Sequence, residues 1–413
     1  IIRIFKYQNL LGKCMKGPFS VWPFFGLTLW IDVFTHLFHR DKEKRIDPYN
    51  PIREVSVLIP LHKEPGEAVK RTVESIYKEK YPVKNIIVCG DSDSNINEDS
   101  LKKTFKHKNL YYLKAPHFSK AKKINYVIEK FSKNLGEFIY TLDCGTRVEE
   151  GSIGKMVSDF SNDKVAAVTS YGRVSIPRNF LSRSYFYGKA WINEIGRFRK
   201  GAQEKRKAVF VVCGGSTIYR KEVLKKIPIP SQSKTEDTYY TWLLQRNGFT
   251  IKVADDAIVS APEVDGKGLN GIKNQIKQSY RWSSGTLQCL SLEGKMIFKN
   301  KKLAYTTILP GYIESITYAI PLFFLPMLFF IFPTFALGFL IGDTVFSLLG
   351  TLIFIPEKFG KTLLHYPQIM FFKYVNATIF FFAMMVVGFQ AIFGMKDKWN
   401  NEWVSPDIMK IEM

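Results

Sequence analysis

Cysteine and histidine are scarce and scattered in this chain, and neither forms a recognisable metal-binding or disulfide pattern. The five cysteines contain no C-x-x-C pair, and the six histidines form no H-E-x-x-H or similar ligand set. These absences argue against a structural zinc site and favour a reducing compartment. The sequence also lacks internal repeats, low-complexity segments and an evident cleavable signal.

Acidic residues are too few to balance the basic ones. The 413 residues carry 59 Lys and Arg against 37 Asp and Glu, for a formal charge of +22 and a pI near 9.6. A solvated basic surface explains most individual lysines, but the total positive charge predicts an anionic partner. Because the chain is 46% hydrophobic and has 34 Phe, membrane lipids and a phosphate-bearing substrate are favoured over nucleic acid.

The N-terminal region predicts a membrane association. Val21–Phe38 is an apolar run of marginal length, interrupted by Asp32 and His36 and followed by basic residues. Basic residues after a span place the next domain in the cytoplasm. Residues 1–20 mix basic and apolar side chains and could lie flat at the interface.

The C-terminal third predicts further spans. Residues 311–355 are apolar apart from Glu314 and Asp343, long enough for two spans with a break at Pro333. A third run covers 370–394, and residues 286–310 are basic and amphipathic, as in a helix on the membrane surface. We therefore expect a multi-pass protein of the cell membrane.

Residues from about 53 alternate short β-like runs with amphipathic helices. This order predicts an α/β domain with a doubly wound, mostly parallel sheet. Such sheets bind ligands beyond the carboxyl ends of their strands. The predicted strands are Val55–Pro60, Asn85–Cys89, Glu137–Leu142, Lys164–Thr169 and Val209–Cys213, and the predicted helices include Glu67–Lys80 and Lys120–Phe131.

Carboxylates follow two of these strands directly. Asp91 and Asp93 come after Cys89, and Asp143 follows Leu142. Such carboxylates can accept from a nucleobase or hold a divalent cation through oxygen ligands. The alternative is turn-forming Asp that bonds its own backbone.

Three further groups fall at the same predicted rim. Glu64 follows the first strand and could reach a nucleoside, or it is a solvated loop charge. Lys120 begins a basic helix whose amides favour phosphate. Cys213, Gly214 and Gly215 end a predicted strand, where the glycines permit close approach of a ligand or simply serve a tight turn.

Thr235-Glu236-Asp237 reads as a helix start, with Gly248 in the position after its end. The helix N-terminus stabilises Asp237 as an anion, and an ionised carboxylate near a sugar hydroxyl can act as a general base. An acidic residue selected only for the helix dipole is the alternative, and it explains Glu236 more readily than Asp237.

Gln278, Arg281 and Trp282 share one face if Gln278–Trp282 is helical, at i, i+3 and i+4. A guanidinium fork suits a diphosphate, and an aromatic face suits a sugar ring. Plain helix packing is the alternative, but the position between an α/β domain and membrane spans favours a binding role.

Together these elements resemble the inverting family 2 glycosyltransferases of GT-A-type fold, in particular the membrane-integrated cellulose, chitin and hyaluronan synthases. The resemblance covers roughly residues 53–310. It implies a nucleotide-sugar donor, expected to be UDP-linked, with Mg²⁺ or Mn²⁺ as cofactor and a polysaccharide or lipid acceptor. It gives no oligomeric state.

The resemblance also implies roles for individual residues. The donor would contact Glu64, Asp91, Lys120, Asp143 and Arg281, with the metal on Asp143. Asp237 would be the catalytic base, and the acceptor would meet Cys213, Gly214, Gly215, Glu236, Gln278 and Trp282.

Two features depart from the family pattern. The D-x-D element reads Asp143-Cys144-Gly145, so its second carboxylate is absent, although chitin synthases carry a similar Asp-x-Gly-Thr. Trp399–Pro406 loosely resembles the gating loop of cellulose synthases. A gate needs a cytoplasmic C-terminus, whereas three spans after the central domain would place the tail outside.

We therefore expect a membrane-integrated glycosyltransferase that extends a polysaccharide, with a cytoplasmic catalytic domain. Two alternatives stay open: a non-processive enzyme with a membrane-lipid acceptor, and an inactive membrane scaffold. The expected organisation is an N-terminal interfacial or transmembrane segment (1–45), a GT-A domain (46–270), interface helices (271–310), transmembrane helices (311–396) and a tail (397–413).

Overall fold

The computed structural model describes residues 27–38, 44–91, 94, 96–105, 109–176, 180–260 and 270–395. The predicted interfacial segment 1–20, Asp93 and the tail with Trp399–Pro406 lie outside these residues. Of the predicted apolar run Val21–Phe38, the described part forms helix α1, Leu27–Phe38.

One eight-stranded mixed sheet forms the centre of the soluble part. Its spatial order is β3-β2-β1-β4-β7-β6-β8-β5. Four strand pairs are parallel and three, around β7 and β5, are antiparallel. The strands are β1 (Val55–Pro60), β2 (Val83–Gly90), β3 (Leu110–Lys114), β4 (Phe138–Leu142), β5 (Arg147–Val148), β6 (Val165–Arg173), β7 (Ser216–Arg220) and β8 (Thr250–Ser260).

Helices cover both faces of this sheet, as the alternating pattern predicts. One apolar core packs α2 (Gly66–Tyr77), α3 (Glu98–Thr104) and α5 (Ser152–Ser158) on one face. The other packs α4 (Lys120–Phe131), α7 (Lys221–Lys226) and α8 (Glu236–Arg246). Gly248 adopts a positive φ of 85° after α8, as predicted for a residue that ends a helix.

The prediction of a strand at Val209–Cys213 is wrong, and β7 takes its place in the sheet. The segment lies outside the sheet, and side chains rather than a neighbouring strand accept hydrogen bonds from four of its backbone N–H groups. Buried amides must find partners, and here they find them outside the sheet. The pairs are Val209 with Gln245, Phe210 with Gln203, Val212 with Thr241, and Cys213 with Thr169, at 2.7–3.2 Å.

The antiparallel direction of β7 has a direct consequence for the site. The parallel strands β1, β2 and β4 all end at one edge of the sheet. Because β7 runs opposite to β4, it begins at the edge where β4 ends, and the Asp143 N–H donates to the Gly215 carbonyl at 3.0 Å. The loop before β7 therefore meets the loop after β4.

Seven further helices complete the described part of the chain. They are α6 (Phe180–Lys205), α9 (Asn270–Glu293), α10 (Lys301–Phe323, with a π-helical turn at Ala304–Ile308), α11 (Leu325–Ile331), α12 (Pro333–Phe354), α13 (Phe359–Leu364) and α14 (Tyr366–Ile392), with short 3₁₀ turns at Gly294–Lys299 and Pro356–Lys358.

Helices α12 and α14 are long and apolar enough to cross a membrane. Helices α10 and α11 pass that test only as a pair and are bent by 63° where they meet, so the described residues hold two candidate spans, or three if the bent pair is one. The break before Pro333 lies where the sequence predicts it, while the bend at Phe324 was not predicted.

A buried cluster of charges joins α1 to the rest of the protein. Asp32 is fully buried on α1; it accepts a hydrogen bond from Arg199 of α6 at 2.7 Å and forms an ion pair at 2.6 Å with Arg206, which directly follows α6. Glu314 of α10 accepts from the backbone and hydroxyl of Thr28. Asp32, which interrupts an apolar run in the sequence, thus serves as the counter-ion of two arginines.

A second buried ion pair lies within the candidate spans. Lys373 of α14 donates to both oxygens of Asp343 on α12 at 2.8 and 3.0 Å. The hydroxyls of Tyr318 and Tyr366 also donate hydrogen bonds to the Asp343 carboxylate, at 2.9 and 2.7 Å. The pair is fully hydrogen-bonded and ties α10, α12 and α14 together.

Replacement of Lys373 by Met should destabilise the protein by about 3–5 kcal/mol, because it leaves the Asp343 carboxylate buried without a counter-charge. The double variant Asp343→Leu, Lys373→Met should recover much of that loss. Thermal unfolding in detergent measures the effect, with the exposed Lys361→Met as the control. Equal melting temperatures for wild type and Lys373→Met would show that the pair contributes nothing to stability.

Candidate active site

A cavity of about 560 Å³ opens at the edge of the sheet where β1 and β4 end. It is bounded by loops after these strands, by the start of α8 and by the sides of α6 and α9. Of the site residues predicted from the sequence, Asp91 does not line this cavity. The others do: Glu64, Lys120, Asp143, Cys213, Gly214, Gly215, Glu236, Asp237, Gln278, Arg281 and Trp282.

Lys120, the first residue of α4, joins three segments of the cavity wall. Its Nζ lies 2.5 Å from Asp143 Oδ1, donates to the Gly214 carbonyl at 2.6 Å, and lies 3.8 Å from Glu236 Oε1. Burial alone would lower the pKa of this amine, but the charges of Asp143 and Glu236 outweigh it and raise the pKa. Lys120 therefore stays cationic and holds the acidic groups together.

The Gly214-Gly215 turn passes between two of the carboxylates. A Cβ at Gly214 would clash with the carboxylate of Asp237, and one at Gly215 would lie 2.9 Å from Asp143 Oδ2. Glycine is thus required here by close approach. The turn keeps Asp143 and Asp237 on either side of one backbone segment.

Asp237 lies in the first turn of α8, as predicted. Its Oδ1 accepts from the Thr238 N–H at 2.8 Å, which fixes its orientation. Burial raises the pKa of the preceding Glu236, and the charge of Asp237 adds to that rise while Lys120 opposes it. Thr235 occupies the cap position without capping, because its hydroxyl faces Ser233 and Cys289 instead.

Glu64 contributes a nearly buried carboxylate to the cavity, with 3% of its surface exposed. It accepts from the His62 N–H at 2.6 Å. Burial raises the pKa of Glu64, and repulsion from Asp143 raises it further. Its carboxyl therefore holds a proton more readily than an exposed glutamate does.

Asp91 lies behind the cavity wall rather than in it. Its Oδ2 accepts from Lys123 at 2.7 Å and lies 3.3 and 3.4 Å from the Nδ1 atoms of His62 and His117. Burial would raise the pKa of Asp91, but its hydrogen bond and charge interaction with Lys123 prevail and the pKa is lowered. Asp91 thus positions Lys123, which does line the cavity.

His62, Asp91 and His117 are also close enough to hold a metal ion. Imidazole ligands suit zinc and other transition metals rather than Mg²⁺. This set is therefore a poorer match for a hard cation than Asp143 is.

The face of Gln278, Arg281 and Trp282 forms one wall of the cavity, on helix α9. Trp282 is 42% exposed, and the buried Oε1 of Gln278 has no hydrogen-bond partner among the residues that the structure describes. Arg281 donates to the Lys234 carbonyl at 3.4 Å. The wall thus offers an open indole face and an unsatisfied amide oxygen.

Helix α6 supplies a cavity wall that the sequence analysis missed. Lys189, Asn193, Gly196, Arg197 and Lys200 all line the cavity. Their spacing of 0, 4, 7, 8 and 11 is that of one helical face. That spacing could have revealed the face in the sequence. The opposite side of α6 also mixes polar and apolar residues, however, so the pattern does not stand out.

Comparisons with known proteins relate the chain to glycosyltransferases. Residues 56–228 match the family described as Glycosyl transferase family 2. The chain is 26% identical over 275 residues to a poly-beta-1,6-N-acetyl-D-glucosamine synthase of Staphylococcus epidermidis, covering 65% of this chain and 63% of that protein. It is 21% identical over 273 residues to a hyaluronan synthase of Streptococcus pyogenes, covering 62% of each. The chain thus spans less than two thirds of the length of these relatives.

Among solved structures, the chain resembles a mannosyltransferase from Pyrobaculum calidifontis, PcManGT, in complex with GDP-Man and Mn²⁺. The TM-score is 0.59 at 13% identity, over 90% of this chain and 96% of that one. This likeness confirms the predicted GT-A-type α/β fold with apolar helices attached. The sheet is more mixed than predicted because of β7 and β5.

Replacement of Gly214 by Ala should displace Asp237 or the turn itself, because the added Cβ has no room. A misplacement of about 1 Å can cost on the order of 100-fold in turnover. Sugar transfer and melting temperature are the measurements. Gly201→Ala is the matched control, since a Cβ there meets nothing within 4 Å. Full activity of Gly214→Ala would mean that the turn tolerates the side chain and does not fix Asp237.

Proposed function

We propose that this chain, whose residues 56–228 match the family described as Glycosyl transferase family 2, transfers a sugar, with inversion, from a nucleotide sugar to a hydroxyl of a growing polysaccharide at the membrane. The observation that carries the proposal is the placement of Asp237. It lies in one cavity with the Lys120–Asp143 pair and with the open face of Trp282. A base, a charge-stabilising group and a sugar platform are thus brought together.

In the proposed reaction, Asp237 takes the proton of the acceptor hydroxyl as its oxygen attacks the anomeric carbon of the donor. The bond from that carbon to the diphosphate breaks on the opposite side, which inverts the configuration. Lys120 and Arg281 supply positive charge for the departing diphosphate. The Thr238 N–H, in the first turn of α8, holds the Asp237 carboxylate in a fixed orientation for this step.

A divalent cation fits this donor site. Mg²⁺ is commonly bound by one or two carboxylates together with substrate phosphates. Asp143 offers a carboxylate whose side chain is 40% exposed to the cavity. It would hold Mg²⁺ or Mn²⁺ together with the donor diphosphate, and the bound ion would supply Lewis-acid stabilisation of the leaving group.

The acceptor would enter from the side of α9. Trp282 provides the surface on which a sugar ring stacks, and the unsatisfied Gln278 oxygen can accept from a sugar hydroxyl. Both residues lie on a helix that packs against α14, one of the two candidate spans. This connection supports an acceptor that leaves along the membrane part.

A non-processive enzyme with a membrane-lipid acceptor is the second candidate. The small number of candidate spans, two or three in the described residues, favours it because few helices are available to enclose a polymer channel. A panel of nucleotide sugars with Mn²⁺, followed by sizing of the product, separates the two. A single-sugar lipid product would replace the polysaccharide proposal, and no nucleotide release from any donor would indicate an inactive scaffold.

Replacement of Asp237 by Asn should lower transfer about 10²–10⁴-fold and leave UDP binding nearly unchanged, because it removes the base at constant size. The exposed Asp163→Asn is the control. Initial rates and calorimetric UDP titrations give both quantities. Wild-type turnover in Asp237→Asn would refute the assignment of the base.

Replacement of Asp143 by Ala should abolish the strengthening of UDP binding by Mn²⁺, since Asp143 is the carboxylate available to the ion. Titration of UDP with and without Mn²⁺ measures this coupling. His62→Gln serves as the comparison, because it alters the other possible metal group. Retained coupling in Asp143→Ala with loss in His62→Gln would place the ion at the histidine group instead.

A further inference from the structure

The cavity face of α6 carries three cationic side chains that the proposed reaction does not use. Lys189, Arg197 and Lys200 all line the cavity. From Lys189 to Lys200 the helix rises about 16 Å, at about 1.5 Å per residue. The positive charge therefore extends along one whole wall and is not confined to the donor pocket.

These cations are poorly neutralised by the protein itself. Lys189 donates to the uncharged amide of Gln275, and its ammonium lies 5.4 Å from the centre of the Trp282 ring. Arg197 reaches Glu194 only at 4.0 Å and otherwise lies over the Tyr171 ring. Within the described chain, Lys200 has no ion-pair partner.

The environment of Lys189 is unfavourable for its charge. Burial lowers the pKa of Lys189 to about 8, and among the described residues no carboxylate offsets this effect. By contrast, Lys120 in the same cavity has an acidic partner and a raised pKa. A wall of uncompensated cations is costly unless a ligand brings the missing negative charge.

We propose that the α6 face of Lys189, Arg197 and Lys200 is an acceptor subsite for anionic groups, and that the acceptor is an acidic, carboxylate-bearing glycan. The sugar character follows from Trp282, since a ring stacked on that indole lies beside the Lys189 ammonium. The length of the face favours an extended glycan with several charges over a single lipid phosphate. The inference rests on the proposed glycosyltransferase function and specifies its acceptor.

The test compares two tetrasaccharides that differ only in charge, cellotetraose and its fully 6-carboxylated form. The full chain, in nanodiscs of uncharged lipid with UDP and Mn²⁺, is titrated with each. We expect the carboxylated form to bind at least about tenfold tighter, as for one or more hydrogen bonds between charged groups. Raising the salt concentration should reduce this preference.

Matched variants locate the effect. Lys189→Gln and Lys200→Gln should each reduce the preference about tenfold, and Lys200→Arg should retain it. Lys205→Gln is the control, because Lys205 lies on the same helix but does not line the cavity. Melting temperatures identify a variant that fails to fold, and the other variants then decide.

Several outcomes would overturn the inference. They are equal or tighter binding of the neutral tetrasaccharide, binding of neither, equal losses in Lys205→Gln, or tight binding of a polyprenyl phosphate in place of the carboxylated glycan. UDP affinity in the presence of Mn²⁺, measured in the same samples, tests the donor site separately. If the wild type does not bind UDP, the proposed function is refuted. If it binds UDP normally but does not prefer the carboxylated tetrasaccharide, only the acceptor assignment is refuted.

Discussion

The arrangement of the candidate active site depends on the ammonium of Lys120. Two carboxylates about 4 Å apart repel each other by roughly 4 kcal/mol at an effective dielectric constant near 20. Asp143 and Glu236 nevertheless share one cavity, because Lys120 contacts both and also binds the carbonyl of Gly214. The end of β4, the loop before β7 and the start of α8 are thereby held by one cation. The glycine turn can pass between the carboxylates only while that arrangement holds.

Helix α6 connects this chemistry to the membrane part. Its Arg199 pairs with Asp32 of α1, and Gly188 packs so closely on Phe372 of α14 that a Cβ would clash. Another side lines the cavity. A single helix therefore sets the distance between the cavity and the apolar helices. The cavity wall on α6 and the candidate span α14 are both in contact with this helix.

Much of the fold and site could be predicted, for physical reasons that differ between residues. Asp143 and Glu64 were found because they directly follow strands, and Asp237 because a helix start has a sequence signature. Val209–Cys213 is the more apolar segment, but tertiary packing places Ser216–Arg220 in the sheet as β7. Helix α6 escaped prediction because its several partners leave no single apolar stripe. The burial of Asp91 behind the wall depends on Lys123, which lies 32 residues away in the chain.

The segment Val209–Cys213 can change by single substitutions more easily than the strands of the sheet can. Its amides are held by four side chains, from Gln203, Gln245, Thr241 and Thr169, rather than by a strand ladder. A ladder shifts only as a whole, by register, but a side-chain anchor can be exchanged singly. Point substitutions at these anchors would re-aim the wall beside Gly214 while the sheet that presents Asp143 stays intact. The shape of the cavity can thus change at a few positions while the sheet keeps its register.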